Sequence, residues 1–494
     1  MFDSLRGGLL AGVCSIGIVC SLAAAPASAE TLADAIALAY ETNPTLQAQR
    51  ATQRALDETW VQARTGYRPT LNASATAQWR ETRVPGGVPQ ANGTTLYGPQ
   101  ETDAGSAGLT LTQPLYTGGR VAAALSAAEA DILNGRENLR RIETQVLALV
   151  ITAYVDVRRD QEALRIREEN VRVLQRQLEE SQARFDVGEI TRTDVAQSEA
   201  RLAAAQAQLS QAQAQLAISR ANYAQVVGQN PGDLEPEPSL APLLPADVTQ
   251  AFDAADTDNP QIRAAEYAQQ ASRARVAGAR AERMPRLDLR GTVGFSGELD
   301  PLDTDRYARE VVGQATVSVP LFTGGLTNSR VRQAIERNNA DRISVETARR
   351  SVLQALTQSW NQLTAARANI VSTETQVRAA RIAAEGTRQE QQVGLRTTLD
   401  VLNAEQELRA AELSQITARR DEYVAAASVL ANMGRLEAPF LVSSVDRYDP
   451  KANADGLRMT WGWVPWEEPI AIVDGVATPR TKQLPLETPP PGSN

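Results

Sequence analysis

The chain has 494 residues, with 50 Lys+Arg against 59 Asp+Glu, a formal net charge of -9 and no histidine. A His-dependent triad, a His-containing zinc site and a haem held by histidine are therefore excluded, and the acidic balance disfavours wrapping nucleic acid. Every basic residue is Arg except Lys451 and Lys482, and the two cysteines are Cys14 and Cys20.

Residues 1–29 read as an export signal. Arg6 gives a weakly positive start, residues 8–25 are apolar, and Ala27-Ser28-Ala29 has the small-x-small form of a signal-peptidase site. Interrupting Gly and Ser residues argue against a membrane anchor, and Gly17-Ile18-Val19-Cys20 is a poor lipoprotein box. Cleavage after Ala29 would leave a mature chain without cysteine, held by packing or by oligomer contacts. No later stretch approaches the ~20 apolar residues of a transmembrane helix, so entry into a membrane requires a β-barrel.

Self-comparison reveals a duplication. Gln113-Pro114-Leu115-Tyr116-Thr117-Gly118-Gly119 returns 206 residues later as Val319-Pro320-Leu321-Phe322-Thr323-Gly324-Gly325. The same shift carries Val187-Gly188 onto Val393-Gly394, Asp194-Val195 onto Asp400-Val401 and Gly228 onto Gly434. Upstream, Asn43-Pro44 and Pro69 return as Asn259-Pro260 and Pro285 at a shift of 216, so the first copy carries a longer loop between Pro69 and Pro114. The expected organisation is a first repeat over 30–230, a linker over 231–246, a second repeat over 247–436 and a tail over 437–494 whose Pro-rich end, 484–494, is disordered.

Within each repeat a helical segment, 31–67 or 247–283, is stopped by Pro69 or Pro285. Period-two alternation follows. Leu71, Ala73, Ala75, Ala77 and Trp79 share one strand face and Thr70, Asn72, Ser74, Thr76 and Gln78 the other. The pattern predicts strands at 69–79, 106–116, 286–296 and 311–321, in hairpins 69–116 and 286–321, with Gly/Pro/Asp-rich loops at 80–105 and 297–308. Long helices are predicted over 121–184 and 326–390, which contain no Pro and space apolar residues three and four apart. A 64-residue helix spans roughly 96 Å, far more than a compact globule needs. Tips at 185–191 and 391–397, each with a Gly and a polar cluster, turn the chain into a return helix.

Isolated hairpins cannot sit in lipid, because open edges leave backbone groups unpaired. Four strands are too few to close a membrane barrel, which starts at about eight, so the barrel must be shared between protomers. Strand arithmetic alone allows a dimer, a trimer or a tetramer.

The duplicated plan, with Pro-Leu-aromatic-x-Gly-Gly closing each hairpin and Val393-Gly394-x-x-Thr397-x-x-Asp400-Val401-Leu402-x-Ala404 at a tip, resembles the TolC family of outer-membrane efflux proteins over about 31–436. The resemblance implies a mostly α fold whose long coiled-coil helices form a periplasmic α-barrel, with four strands per chain in a shared 12-stranded outer-membrane β-barrel of a trimer. It implies an exit duct for a tripartite efflux pump or type I secretion system. Its partners would be a periplasmic adaptor (membrane fusion) protein, an inner-membrane ABC or proton-driven transporter and outer-membrane lipid.

By the same resemblance, Thr193 and Asp194 match gate-link partners at the first tip, and Arg396 matches an arginine that binds across to them. Gln391 stands where a tyrosine would complete the links. Asp400 and Asn403 match the two positions that ring the narrow entrance, the second with its carboxylate lost. A Thr or Asp just past a tip also suits a helix cap. Trp461, Trp463 and Trp466 suit packing of the tail on the helical waist, or a partner-binding patch.

The competing reading is a periplasmic coiled-coil adaptor or structural protein, which leaves the two amphipathic hairpins without a purpose. An enzyme has no support: no nucleophile–base pair, metal cluster or phosphate loop is present, no cofactor is implied, and the Gly-Gly pairs lack the Gly-x-x-x-x-Gly-Lys spacing.

Overall fold

A computed structural model describes residues 30–299, 307–442, 447–458 and 464–476. The expected leader 1–29, Trp461, Trp463 and the Pro-rich end 484–494 lie outside the described residues.

Both halves run through the same elements. In the first, α1 (Leu32–Thr42) and α2 (Pro44–Arg64) lead to strand β1 (Thr70–Arg83), a small hairpin of β2 (Val88–Pro89) and β3 (Thr95–Leu96), and strand β4 (Pro99–Tyr116). Helices α3 (Arg120–Asp186) and α4 (Arg192–Val227) complete it. The second half holds α5 (Val248–Asp258), α6 (Pro260–Ala281), β5 (Arg286–Glu298), β6 (Ala308–Ser318), α7 (Leu326–Gln392) and α8 (Thr398–Asn432). The tail carries α9 (Ala438–Leu441), α10 (Pro450–Arg458) and α11 (Glu467–Val476). Helices α3 and α7 have 67 residues each, roughly 100 Å at 1.5 Å per residue.

The repeated Asn-Pro and Gly landmarks build one joint twice. Asn43 ends α1 and caps α2, accepting from Thr45 N at 2.9 Å while its own amide donates to Val226 O at 2.8 Å. Asn259 does the same between α5 and α6, accepting from Gln261 N at 2.8 Å and donating to Asn432 O at 2.7 Å. Pro44 and Pro260 occupy the first helical turn, where a missing N–H costs nothing. Each joint thus ties a helix start to the end of a return helix, whose terminal carbonyls would otherwise be orphaned. Gly434, at φ 77°, lies where a Cβ would stand 2.5 Å from Asp258 O. Around these joints sits the main core, with Tyr40, Leu147, Ile151, Tyr154, Tyr223, Leu356, Leu430 and Met433 all buried.

The strands form one antiparallel sheet in the order β1-β4-β5-β6, leaving β1 and β6 as open edges. Register sorts the side chains. Ala73, Leu109, Val293 and Val311 lie abreast on one face, where Leu71 and Leu111 also pair. On the other, Thr70, Thr112, Arg290 and Gln314 form one row and Asn72, Thr110 and Thr292 the next. Leu71, Leu109, Leu111, Phe295 and Val311 are exposed, an apolar surface suited to lipid. Among the described residues no helix is long and apolar enough to cross a membrane.

The first hairpin is longer than its hydrophobic pattern suggests. Residues 80–83 and 99–105 are strand rather than loop, continuing the ladder through Arg80↔Thr102, Glu81↔Glu101 and Thr82↔Gln100. Backbone pairing does not need alternation, so a ladder polar on both faces leaves no period-two signal. The tail lies along α2 and the base of the sheet. Tyr448 and Tyr40 sandwich the Arg50 guanidinium at 4.9 and 4.5 Å, and Asn453 donates to Asp57 at 2.8 Å. Trp466 is exposed; the contacts that fix α11 come instead from Glu467, bound to Arg64 and Arg68, and from Asp474.

Candidate functional site

The two hairpin tips are near copies. Gly188 and Gly394 both take φ 81°, in the left-handed region that L side chains avoid, and let α3 and α7 turn into α4 and α8. Val187 (73% exposed), Val393 (71%) and Leu395 (75%) project from the ends. Thr191 and Asp194 then form a capping box: Asp194 Oδ2 accepts from Thr191 N at 3.0 Å and from its hydroxyl at 2.8 Å. Thr397 and Asp400 repeat it at 3.0 and 2.7 Å. Hydrogen bonds from the threonine hydroxyl and then its N–H hold both carboxyls below their ordinary range. A depressed carboxyl keeps its cap through mildly acid pH, losing it only as pH falls through the lowered value.

Within one chain the expected gate residues do not meet. Arg396 donates to Glu390 at 2.8 Å, on its own hairpin, and that carboxylate raises the guanidinium's pKa. Asp194 is engaged by Thr191, and Thr193 is exposed. Gln391 is buried, with its Nε2 lacking a hydrogen-bond partner among the described residues. The local reason is the cap itself: an Asp three residues into a helix finds its own Thr before any distant arginine.

Near the tips Arg201 crosses between the hairpins, while farther along Arg420 on α8 pairs with Asp156 on α3 at 2.7 Å. From α4, Arg201 donates to Asn403 Oδ1 at 3.0 Å and to Gln406 Oε1, both on α8. Beneath this bond Leu174, Ala205 and Leu402 pack together from α3, α4 and α8. On the α7–α8 hairpin, buried Glu405 takes Arg388 and Arg409, and Arg409 also bonds Glu412 at 2.8 Å. Sequence reasoning missed Arg201. Its one signal is isolation, since 202–219 carries no charge at all. Among the described residues no group of three or more His, Cys, Asp or Glu could hold a metal ion.

A sheet with an apolar face, a polar face and two open edges, set on helical hairpins whose first helices have 67 residues each, defines an outer-membrane channel protein. The outer membrane efflux protein family matches over residues 35–229 and 252–435, and the chain belongs to that family, the family of TolC that its repeated motifs resemble. It is 34% identical over 440 residues to the outer membrane efflux protein BepC of Brucella suis biovar 1 (strain 1330), covering 88% of this chain and 92% of BepC. It is 26% identical over 397 residues to the proteases secretion protein PrtF of Dickeya chrysanthemi, covering 79% of this chain and 85% of PrtF. The fold matches the Campylobacter jejuni CmeC outer membrane channel with a TM-score of 0.72 at 14% identity, over 86% of this chain and 88% of CmeC. The protein is an outer-membrane exit duct for efflux or type I secretion.

Proposed function

We propose that three copies assemble into one duct: a shared 12-stranded barrel in the outer membrane above a helical tunnel in the periplasm. The observation that carries this reading is the pair of open edges, β1 and β6, on a sheet whose internal pairs are all antiparallel. The edges lie at the sequence ends of a duplicated unit. Pairing β6 of one copy with β1 of the next continues the alternation of first and second hairpins around a ring. Three copies give twelve strands, the polar rows of Thr70, Thr112, Arg290 and Gln314 facing a wet lumen and the leucine and valine rows facing lipid.

The duct conducts passively. Substrate enters at the periplasmic tips, where a periplasmic adaptor and an inner-membrane ABC or proton-driven transporter engage it, and leaves through the barrel. Asp400 and Asn403 ring the entrance. Thr193, Asp194, Gln391 and Arg396 lie where neighbouring tips would hold each other closed. The Thr191 cap occupies Asp194 through Oδ2, which leaves Oδ1 to accept from Arg396 of an adjacent tip. Native mass spectrometry of detergent-extracted outer-membrane protein should give three copies, and a stable monomer would overturn the shared barrel.

A further inference from the structure

We infer that Arg201 sets both the charge and the fastening of the duct entrance; this rests on the assignment of Asp400 and Asn403 to that entrance. Arg201 reaches from α4 to α8 and binds two side-chain oxygens, Asn403 Oδ1 at 3.0 Å and Gln406 Oε1. Both acceptors are neutral amides. Among the described residues no carboxylate pairs with it, whereas Arg388, Arg396 and Arg409 close by are matched by Glu405, Glu390 and Glu412. No partner carboxylate therefore offsets the Arg201 charge.

Position turns that charge into selectivity. Asn403 follows Asp400 by three residues on α8, so the two share a helix face roughly 5 Å apart along the axis. A guanidinium held on Asn403 at 3.0 Å lies about one helical turn along α8 from Asp400, a separation comparable to the ~8 Å Debye length. Asp400 already has Arg396 beside it, but Glu390 matches that guanidinium; Arg201, matched by no carboxylate, adds the positive charge that weakens the draw of the aspartate ring on cations. The same forked contact fastens one hairpin to the other above the Leu174–Ala205–Leu402 cluster, so closure and charge share one residue.

Three substitutions separate these roles. Arg201→Gln keeps hydrogen-bonding capacity and removes the charge. Arg201→Lys keeps the charge and loses the planar fork. Asp400→Asn removes the carboxylate and tests the entrance assignment itself. The full-length protein is reconstituted in planar bilayers across a KCl gradient, reading reversal potential and single-channel conductance. Arg201→Gln should shift the reversal potential toward potassium, with a several-fold rise in the cation-to-anion permeability ratio. Arg201→Lys should keep the wild-type ratio while raising conductance, and Asp400→Asn should shift the ratio toward chloride. If Asp400→Asn moves the ratio and Arg201→Gln does not, the role of Arg201 is overturned and the entrance stands. If Asp400→Asn leaves the ratio at wild type, the entrance assignment falls and the inference with it.

Discussion

Asp474 in the tail accepts from Thr117 twice over, from its backbone N–H at 3.0 Å and from its hydroxyl at 2.9 Å, across 357 residues of chain. Gly119 N at 2.9 Å, the Tyr67 hydroxyl at 3.1 Å and Ala122 N at 3.4 Å also donate to this carboxylate, which has no solvent exposure. Helix α3 begins after Gly119, which has no side chain to cap it. Thr117 Oγ1 accepts from Val121 N at 3.3 Å, and Asp474, distant in sequence, adds an acceptor for Ala122 N with the negative charge that a helix start favours. Gly118 matters for a second reason: a Cβ there would stand 2.4 Å from Met284 Cβ, just before β5. The tail thereby fixes the place where helices meet the sheet in the first repeat.

Asp474→Ala should leave these donors buried and unsatisfied, at a cost of about 1–3 kcal/mol. Thermal unfolding of the detergent-solubilised protein, followed by circular dichroism, should move to lower temperature, and trypsin should remove the tail sooner. An unchanged melting curve with an equally resistant tail would show that α11 is not a fastener.

The repeated joints predict an asymmetry between two equivalent glycines. Gly228 and Gly434 both have positive φ, 99° and 77°. A Cβ on Gly228 would find Thr42 Oγ1 at 3.3 Å, the movable end of a side chain, while on Gly434 it would strike Asp258 O at 2.5 Å, which is backbone. Gly228→Ala should cost about 1 kcal/mol for the left-handed conformation. Gly434→Ala should cost clearly more, because the joint at Asn259 must open. Equal losses in chemical-denaturant midpoint would contradict this.

How far the fold was legible follows from how local its causes are. The core of each strand was readable because Leu71, Ala73 and Ala75 alternate with Asn72, Ser74 and Thr76. The long helices were readable because nothing in them breaks a helix. The polar ladder at Arg80–Arg83 was not, since its strand character is set by the partner strand rather than by alternation. Asp474 and Arg201 were not either. Each meets its partners across more than 200 residues, a distance over which one chain leaves no periodic trace. At the tips the sequence pointed to Asp194 as a candidate link, to Asp400 as a candidate entrance residue and to both as candidate caps, and the cap is the contact formed within one chain.

The mature protein should begin at Glu30. That residue is already tied to the main core: its N–H donates to Asp233 O at 2.9 Å and its carboxylate accepts from the buried Tyr223 at 2.5 Å. An amino terminus released at Glu30 keeps both bonds. N-terminal sequencing of outer-membrane material checks this, and retention of Met1 or lipid on Cys20 would refute the export signal.

The last prediction concerns the tips, where Arg396 has two possible partners. Within its chain it holds Glu390 at 2.8 Å; in the proposed assembly it would reach Thr193 or Asp194 of a neighbouring tip. Both are exposed pairs, weakened by solvent and salt, so neither dominates, and the balance can be tilted from either side. Arg396→Ala removes the cross-link and should raise single-channel conductance in planar bilayers. Asp194→Ala should act in the same direction, with the double variant adding little beyond either single one. Glu390→Gln removes the competitor, frees the guanidinium for the neighbouring tip and should lower conductance. A rise with Arg396→Ala alone is also what simple loosening of the tip would give. The opposite sign for Glu390→Gln is what distinguishes a latch from loosening. If Glu390→Gln raises conductance as Arg396→Ala does, Glu390–Arg396 is a bond that stiffens one hairpin, and the link between tips must lie elsewhere.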